Sequence, residues 1–317
     1  MHSDIERIAQ HPILSKVGKT PLIEITAFRE RIPSVRVYAK AEFYNPGGSV
    51  KDRPALNMVK EAIQKGKFNP ATMILLDATS GNTGIAFAMI GAALSFKVEL
   101  CLPKNASEER KKILVAYGAK VIETDPIEGS DGAILKARAL YKAERARYFY
   151  PDQYSNPDNW RAHYETTGPE IWEQTEGAVT HFVTGLGTSG TFVGVGRFLK
   201  ERNSKIKIFS MEPDRPFHGL EGLKHLASSL VPEIYDDIAD EKIYVATEKA
   251  QDMALFMARH QGMFIGPSGG ANLVAAFELA RSIQKGVLVT ILPDSGFLYL
   301  SENFWKDRHA ALPDHSN

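Results

Sequence analysis

The sequence contains a single cysteine, Cys101, among 317 residues. One thiol permits no disulfide framework within the chain. Its setting, Val98-Glu99-Leu100-Cys101-Leu102-Pro103, reads as a buried strand in which cysteine serves as a small core hydrophobe. Net charge is also missing: 38 Lys and Arg balance 38 Asp and Glu. Nucleic acids and membrane surfaces select a basic excess, so neither is expected as a partner. Small-molecule chemistry is the default. No stretch reaches the roughly 18 apolar residues that suggest a bilayer span. The charged start, Met1 to Arg7, leads into no apolar run, so no secretory signal is expected and the cytoplasm is the expected compartment. Repeats of solenoid length and low-complexity segments are absent. No metal is expected.

What is there is an α/β grammar. Short β-rich runs at 36–40, 72–77, 97–102 and 120–123 alternate with helical patterns at 53–65, 85–94 and 108–117. Ser107 is placed to cap the third of these helices and Gly118 to stop it. The second half repeats the pattern, with strands at 181–184, 205–211 and 287–292 and helices at 191–201, 248–260 and 272–284. Alternation of this kind implies mostly parallel sheets covered by helices. The stretch from Tyr150-Pro151-Asp152 through Asp158 is rich in Pro, Asn and Asp and marks a domain changeover. Ligands in such folds sit at the carboxyl ends of strands.

Three glycine loops lie at strand-to-helix junctions. Thr79-Ser80-Gly81-Asn82-Thr83-Gly84 opens an apolar helix. Glycine permits close backbone approach, and a helix start offers N–H groups to an anion. A carboxylate or a phosphate fits there, and so does a plain tight turn. Gly185-Leu186-Gly187-Thr188-Ser189-Gly190-Thr191 satisfies G-x-G-x-x-G, with Glu212 at the spacing of a ribose-binding acid. A dinucleotide site is therefore a rival, although hydroxyls at 188, 189 and 191 suit a terminal phosphate monoester better. Gly266-Pro267-Ser268-Gly269-Gly270 reads equally as a site or as a helix-start turn.

The most unusual stretch is Asn45-Pro46-Gly47-Gly48-Ser49-Val50-Lys51-Asp52-Arg53-Pro54. Pro54 is tolerated only in a first helical turn, which suggests Asp52 as N-cap and puts Lys51 just before the helix. A Ser49–Asp52 capping box is the competing start. A helix mouth disfavours a protonated ammonium, and a neutral lysine can form a Schiff base with an aldehyde. The bland alternative is a solvated surface lysine.

A lysine of this kind, with a phosphate loop and a carboxylate loop, is what pyridoxal phosphate chemistry requires. The chain resembles the cysteine synthase and cystathionine β-synthase family, of the tryptophan-synthase-β fold type. The resemblance runs from Val17-Gly18-Lys19-Thr20-Pro21-Leu22 to Leu292-Pro293-Asp294-Ser295-Gly296. It implies two α/β domains, each a mostly parallel twisted sheet flanked by helices, with the cofactor in the interdomain cleft. Residues 40–150 would form a smaller, mobile domain closing over substrate. Residues 1–39 plus 151–317 would form the larger one. By the same resemblance Lys51 carries the Schiff base and acts as general base. Thr79, Ser80, Asn82, Thr83 and Gln153 bind the substrate carboxylate, with Asn82 also at the cofactor's phenolic oxygen. Gly187, Thr188, Ser189, Gly190 and Thr191 form the phosphate cup, and Ser268 faces the pyridine nitrogen. The implied reaction is β-replacement on an O-activated serine by sulfide or thiosulfate. Family members are commonly homodimers.

One segment departs from the typical O-acetylserine enzymes. His218-Gly219-Leu220-Glu221-Gly222-Leu223-Lys224-His225 is bulkier and more basic than their glycine-rich counterpart, and resembles the B-type cysteine synthases. Lys224 or Arg215 could pair with a substrate phosphate or sulfonate; an ordinary solvated loop is the alternative. No regulatory or haem-binding extension is apparent. The rival activities are a serine or threonine dehydratase, a diaminopropionate-type synthase and, more distantly, a nicotinamide-dependent oxidoreductase or a non-catalytic binding protein.

Overall fold

The computed structural model describes residues 2–79 and 81–306. Its strands are β1 (Leu22–Glu24), β2 (Val35–Ala41), β3 (Ile74–Ala78), β4 (Val98–Pro103), β5 (Lys120–Thr124), β6 (Tyr148–Phe149), β7 (His181–Gly185), β8 (Lys207–Pro213), β9 (Glu241–Val245) and β10 (Gly286–Leu292). Its helices are α1 (His2–Gln10), α2 (Asp52–Gln64), α3 (Asn82–Leu94), α4 (Glu108–Ala116), α5 (Gly129–Ala143), α6 (Asp158–Ala162), α7 (Gly168–Gln174), α8 (Gly190–Arg202), α9 (Thr247–Gln261) and α10 (Pro267–Ser282).

The chain divides into two compact units, residues 1–18 with 45–159 and residues 19–44 with 160–317. The first holds a parallel sheet in the order β5-β4-β3-β6. Its central strands β3 and β4 are apolar except at the buried Asp77 and Glu99, because helices cover both faces. Leu76, Ala78 and Cys101 pack against Ala133 and Ala137 of α5. Burial pushes the Cys101 thiol up to about 11, which suits the core role expected of it. The second unit holds the order β1-β2-β10-β7-β8-β9, parallel except for the antiparallel β1–β2 pair. Val37, Val183, Met211 and Leu288 form its core with α9 and α10.

The unit boundaries fall differently from those expected from sequence, for local reasons. Lys40 and Ala41 pair with Ile291 and Leu292, so the end of β2 stays with the larger sheet. Residues near 158 stay with the smaller unit, because the Asn57 amide donates to the Asp158 carbonyl at 2.8 Å and Lys65 pairs with the Asp158 carboxylate at 3.0 Å. Helix α1 packs on α2 and so belongs to the same unit.

Most elements fall where periodicity puts them. Ser107 does cap α4, accepting from the Arg110 N–H at 3.5 Å, and Gly118 takes a left-handed φ of 82° just beyond it. Helix α10 begins earlier than expected, at Pro267. Proline is preorganised for a first turn. Gly270 inside this helix is a packing requirement, since a Cβ there would collide with the Ala250 carbonyl of α9.

Candidate active site

The candidate residues fall into two groups, one in each unit. In the smaller unit, the lysine loop is a folded turn. The Asn45 carbonyl accepts from the Gly48 N–H at 2.8 Å, and Gly48 takes φ 83°, a conformation natural to glycine. The Gly47 N–H donates to the buried Asp52 carboxylate at 2.5 Å, and a Cβ on Gly47 would crowd that carboxylate. Helix α2 therefore starts one residue earlier than the sequence suggests. Lys51 is itself the N-cap and Asp52 is the first helical residue. The Asp52 side chain folds back onto the loop instead of capping. Lys51 is half-buried, and its N–H donates to Ser49 Oγ at 3.2 Å.

The second loop joins β3 to α3. Ser80 lies outside the described residues. Thr79 Oγ1 accepts from the Gly81 N–H at 3.2 Å, and Asn82 opens α3. The Thr83 hydroxyl donates to Gln153 Oε1 at 2.8 Å. The smaller unit thus brings Thr83 and Gln153 into direct contact at the N-terminus of a 13-residue helix. Such a helix mouth attracts a carboxylate.

The larger unit holds the other glycine loops. Ser189 takes φ 70° at the N-cap of α8, which turns the backbone of Gly187–Thr191 around the helix mouth. Gly187 lies so close to the 222 segment that a Cβ would collide with the Gly222 carbonyl. The Ser189 hydroxyl is buried and has no partner among the described residues. A buried hydroxyl left unpaired is costly, and an anion seated in the cup would satisfy it. The residues present therefore fit a phosphate monoester. Ser268, buried, is the second residue of α10.

Asn272 is a residue that sequence reasoning missed. Its Oδ1 accepts from the Gly185 N–H at 2.7 Å and its amide donates to the Ile291 carbonyl at 2.8 Å. It pins the start of the cup to β10. The signal was a lone amide in the apolar run Ala271–Ala276. Glu212 answers the dinucleotide rival. It is buried and accepts from the Leu226 N–H at 2.7 Å, so it fastens a loop instead of facing a ribose.

The basic segment also meets the cup. The Lys224 N–H donates to the Leu186 carbonyl at 2.8 Å, which fixes Lys224 beside Gly187. Arg215 points to other partners, Asp214 at 3.2 Å and Glu248 at 3.9 Å, and is largely exposed. His225 Nδ1 lies 2.8 Å from Ser228 Oγ.

The family model described as "Pyridoxal-phosphate dependent enzyme" matches residues 13–294. The chain belongs to that family. It is 49% identical to the cysteine synthase of Aquifex aeolicus over 97% of this chain and 96% of the relative. It is 38% identical to cysteine synthase B of Escherichia coli K12 over 92% of this chain and 95% of the relative. The crystal structure of a cysteine synthase from Entamoeba histolytica superposes with a TM-score of 0.90 at 37% identity, covering 94% of this chain and 91% of the other. The cofactor of this enzyme family is pyridoxal phosphate, and the α/β architecture with two sheets is the family's. No helix among the described residues is long and apolar enough to cross a membrane.

Proposed function

We propose that the chain is a cysteine synthase, replacing the β-substituent of O-acetyl-L-serine or O-phospho-L-serine with sulfide or thiosulfate. The observation that carries this reading is the near full-length similarity to proteins named cysteine synthase; the Lys51 stretch and the glycine loops of the sequence support it. Bound pyridoxal phosphate supplies an electron sink conjugated to the substrate's α-carbon.

The chain's own residues do the rest. Lys51 would hold the cofactor through its amine, and its Nζ would serve as the base that takes the substrate's α-proton. The N–H groups and hydroxyls of Gly187, Thr188, Ser189, Gly190 and Thr191 hold the phosphate. Ser268 would face the pyridine nitrogen with a neutral hydroxyl, which would keep the sink mild. A mild sink suits loss of a β-leaving group, where the electrons depart with that group. Thr79, Asn82 and Gln153 hold the substrate carboxylate at the mouth of α3, and Thr83 orients Gln153. By resemblance to the family, Asn82 would also bind the cofactor's phenolic oxygen. Lys224 contributes a cation to the choice of donor. By resemblance to the family, the protein works as a homodimer in the cytoplasm.

The test is spectroscopic and then chemical. The purified protein with pyridoxal phosphate should absorb visible light, shift on addition of O-acetylserine, and lose the band on borohydride reduction. With sulfide it should form cysteine, and Lys51→Ala should lower turnover by about a thousandfold or more. Pyruvate or 2-oxobutyrate as the main product would instead assign a dehydratase, and an amine adduct a diaminopropionate-type synthase. A colourless protein, or unchanged turnover in Lys51→Ala, would overturn the reading.

A further inference from the structure

We propose that His163 is a positioning residue for the phosphate cup: its Nε2–H fills the acceptor side of the Thr191 hydroxyl and so aims that hydroxyl's own proton at the phosphate. This rests on the reading of Gly187–Thr191 as the cup.

His163 is buried and opens a π-helical turn, His163–Thr167, that joins α6 to α7. Such turns are rare and concentrate at functional sites. Helix α8 accepts the turn because residue 194 is glycine. A Cβ on Gly194 would lie 2.7 Å from His163 Cβ and 2.8 Å from the Tyr164 nitrogen, and would collide with the Trp160 carbonyl. Gly168, at the start of α7, does the same for Phe198, whose Cβ would be 2.8 Å away. Gly194 and Thr191 are three residues apart on α8, hence on one face. The close approach at Gly194 therefore brings the imidazole to the cup. His163 Nε2 lies 3.3 Å from Thr191 Oγ1, and Nδ1 lies 2.9 Å from Thr167 Oγ1.

The two contacts admit two arrangements of protons, and the proposal selects one of them. A threonine hydroxyl has one proton and two lone pairs, and a neutral imidazole carries its proton on one nitrogen only. In the proposed arrangement Thr167 donates to Nδ1, which leaves the ring proton on Nε2. Nε2–H then donates to Thr191 Oγ1, and the Thr191 proton turns away from the ring toward the mouth of α8. In the opposite tautomer Thr191 would give its proton to Nε2 and present only lone pairs to an anion. The orientation of a residue outside the cup thus sets whether Thr191 attracts or repels a phosphate, as outer partners do at metal sites.

The experiment measures dissociation constants of pyridoxal phosphate and of pyridoxal for the full-length chain, by visible absorbance. The dissociation constant of pyridoxal divided by that of pyridoxal phosphate isolates the phosphate contribution. His163→Asn keeps a group at the Nδ1 position but does not reach Thr191, and should lower the ratio about tenfold. His163→Gln restores an N–H at the Nε2 position and should return the ratio to within about twofold of the parent. Thr167→Val, close in shape to the parent residue, should lower the ratio about threefold and carries the test if His163→Asn is not recovered folded. Equal losses for both ligands, or a His163→Gln ratio as low as that of His163→Asn, would overturn the proposal. Thr191→Val separates the two levels. If it lowers the ratio while Thr167→Val and the His163 variants do not, the cup stands and the relay falls. If it leaves the ratio unchanged, the cup reading itself falls.

Discussion

The Thr83 hydroxyl donates to Gln153 Oε1 at 2.8 Å, joining two residues 70 positions apart. That contact occupies the amide's acceptor and leaves its NH2 end to donate. The backbone of Gln153 is held as well, since its carbonyl accepts from the Asn159 amide at 2.7 Å and Asp152 before it takes φ 48°. A donor held this firmly suits a carboxylate beside the N-terminus of α3. Thr83→Val should therefore raise KM for the amino-acid donor about tenfold, the scale of one hydrogen bond to a charged group. Cofactor binding should be unchanged. Steady-state kinetics decides it: a fall in kcat with KM unaltered would contradict this role for Gln153.

Gly187 faces the Gly222 carbonyl with no room for a side chain. Gly187→Ala must displace either the cup or the 222 segment. Overpacking of this kind costs about 1–3 kcal/mol. The variant should melt lower and retain less pyridoxal phosphate through gel filtration than the parent. Equal cofactor retention would show that the cup tolerates the displacement and is not closely fitted.

The alternation of strands and helices was legible because parallel strands buried on both faces read as apolar runs and helices end at glycine. The Lys51, Asn82 and Gly187–Thr191 stretches were legible as loops because glycines and hydroxyls cluster at strand-to-helix junctions. Asn272 and His163 were not. Each acts through a partner distant in sequence, Gly185 for one and Thr191 for the other, and a single amide or imidazole in a helical segment carries no local signature. Helix α5 was missed because its buried face rests on Ala133 and Ala137, which give weak hydrophobic periodicity. The one-residue shift at Asp52 arose because its carboxylate bonds backward to Gly47, a contact that propensity rules do not register.

Asp77 is the next-to-last residue of β3, just before the Thr79–Gly84 loop, and is almost fully buried. One oxygen accepts from the Ala78 N–H at 2.7 Å, while the other has no partner among the described residues. Burial, aided by the nearby Asp152, pushes its pKa from 3.8 up to about 8. The folded chain then holds a proton that the unfolded chain has released. Stability is complete below pH about 4, falls as pH rises toward about 8, and levels off above it. Asp77→Asn keeps an acceptor for Ala78 and removes the titration. Melting temperature against pH should be flatter between pH 5 and 8 for Asp77→Asn than for the parent, and higher than the parent at pH 8. Parallel curves would show that Asp77 stays ionised.

Lys224 is fastened beside the cup through its backbone, whereas Arg215 is turned to Asp214 and Glu248. Of the two cations expected to select the donor, Lys224 is therefore the better placed. A phosphate ester carries more charge than an acetate ester, so a cation near the departing group favours O-phosphoserine selectively. Lys224→Ala should lower kcat/KM for O-phosphoserine about ten- to a hundredfold and for O-acetylserine no more than about threefold, the range of one charge-assisted hydrogen bond. Arg215→Ala should alter neither by more than about twofold, as exposed ion pairs contribute little. Equal losses for the two donors in Lys224→Ala would reject an anion pocket and leave the segment as a solvated loop.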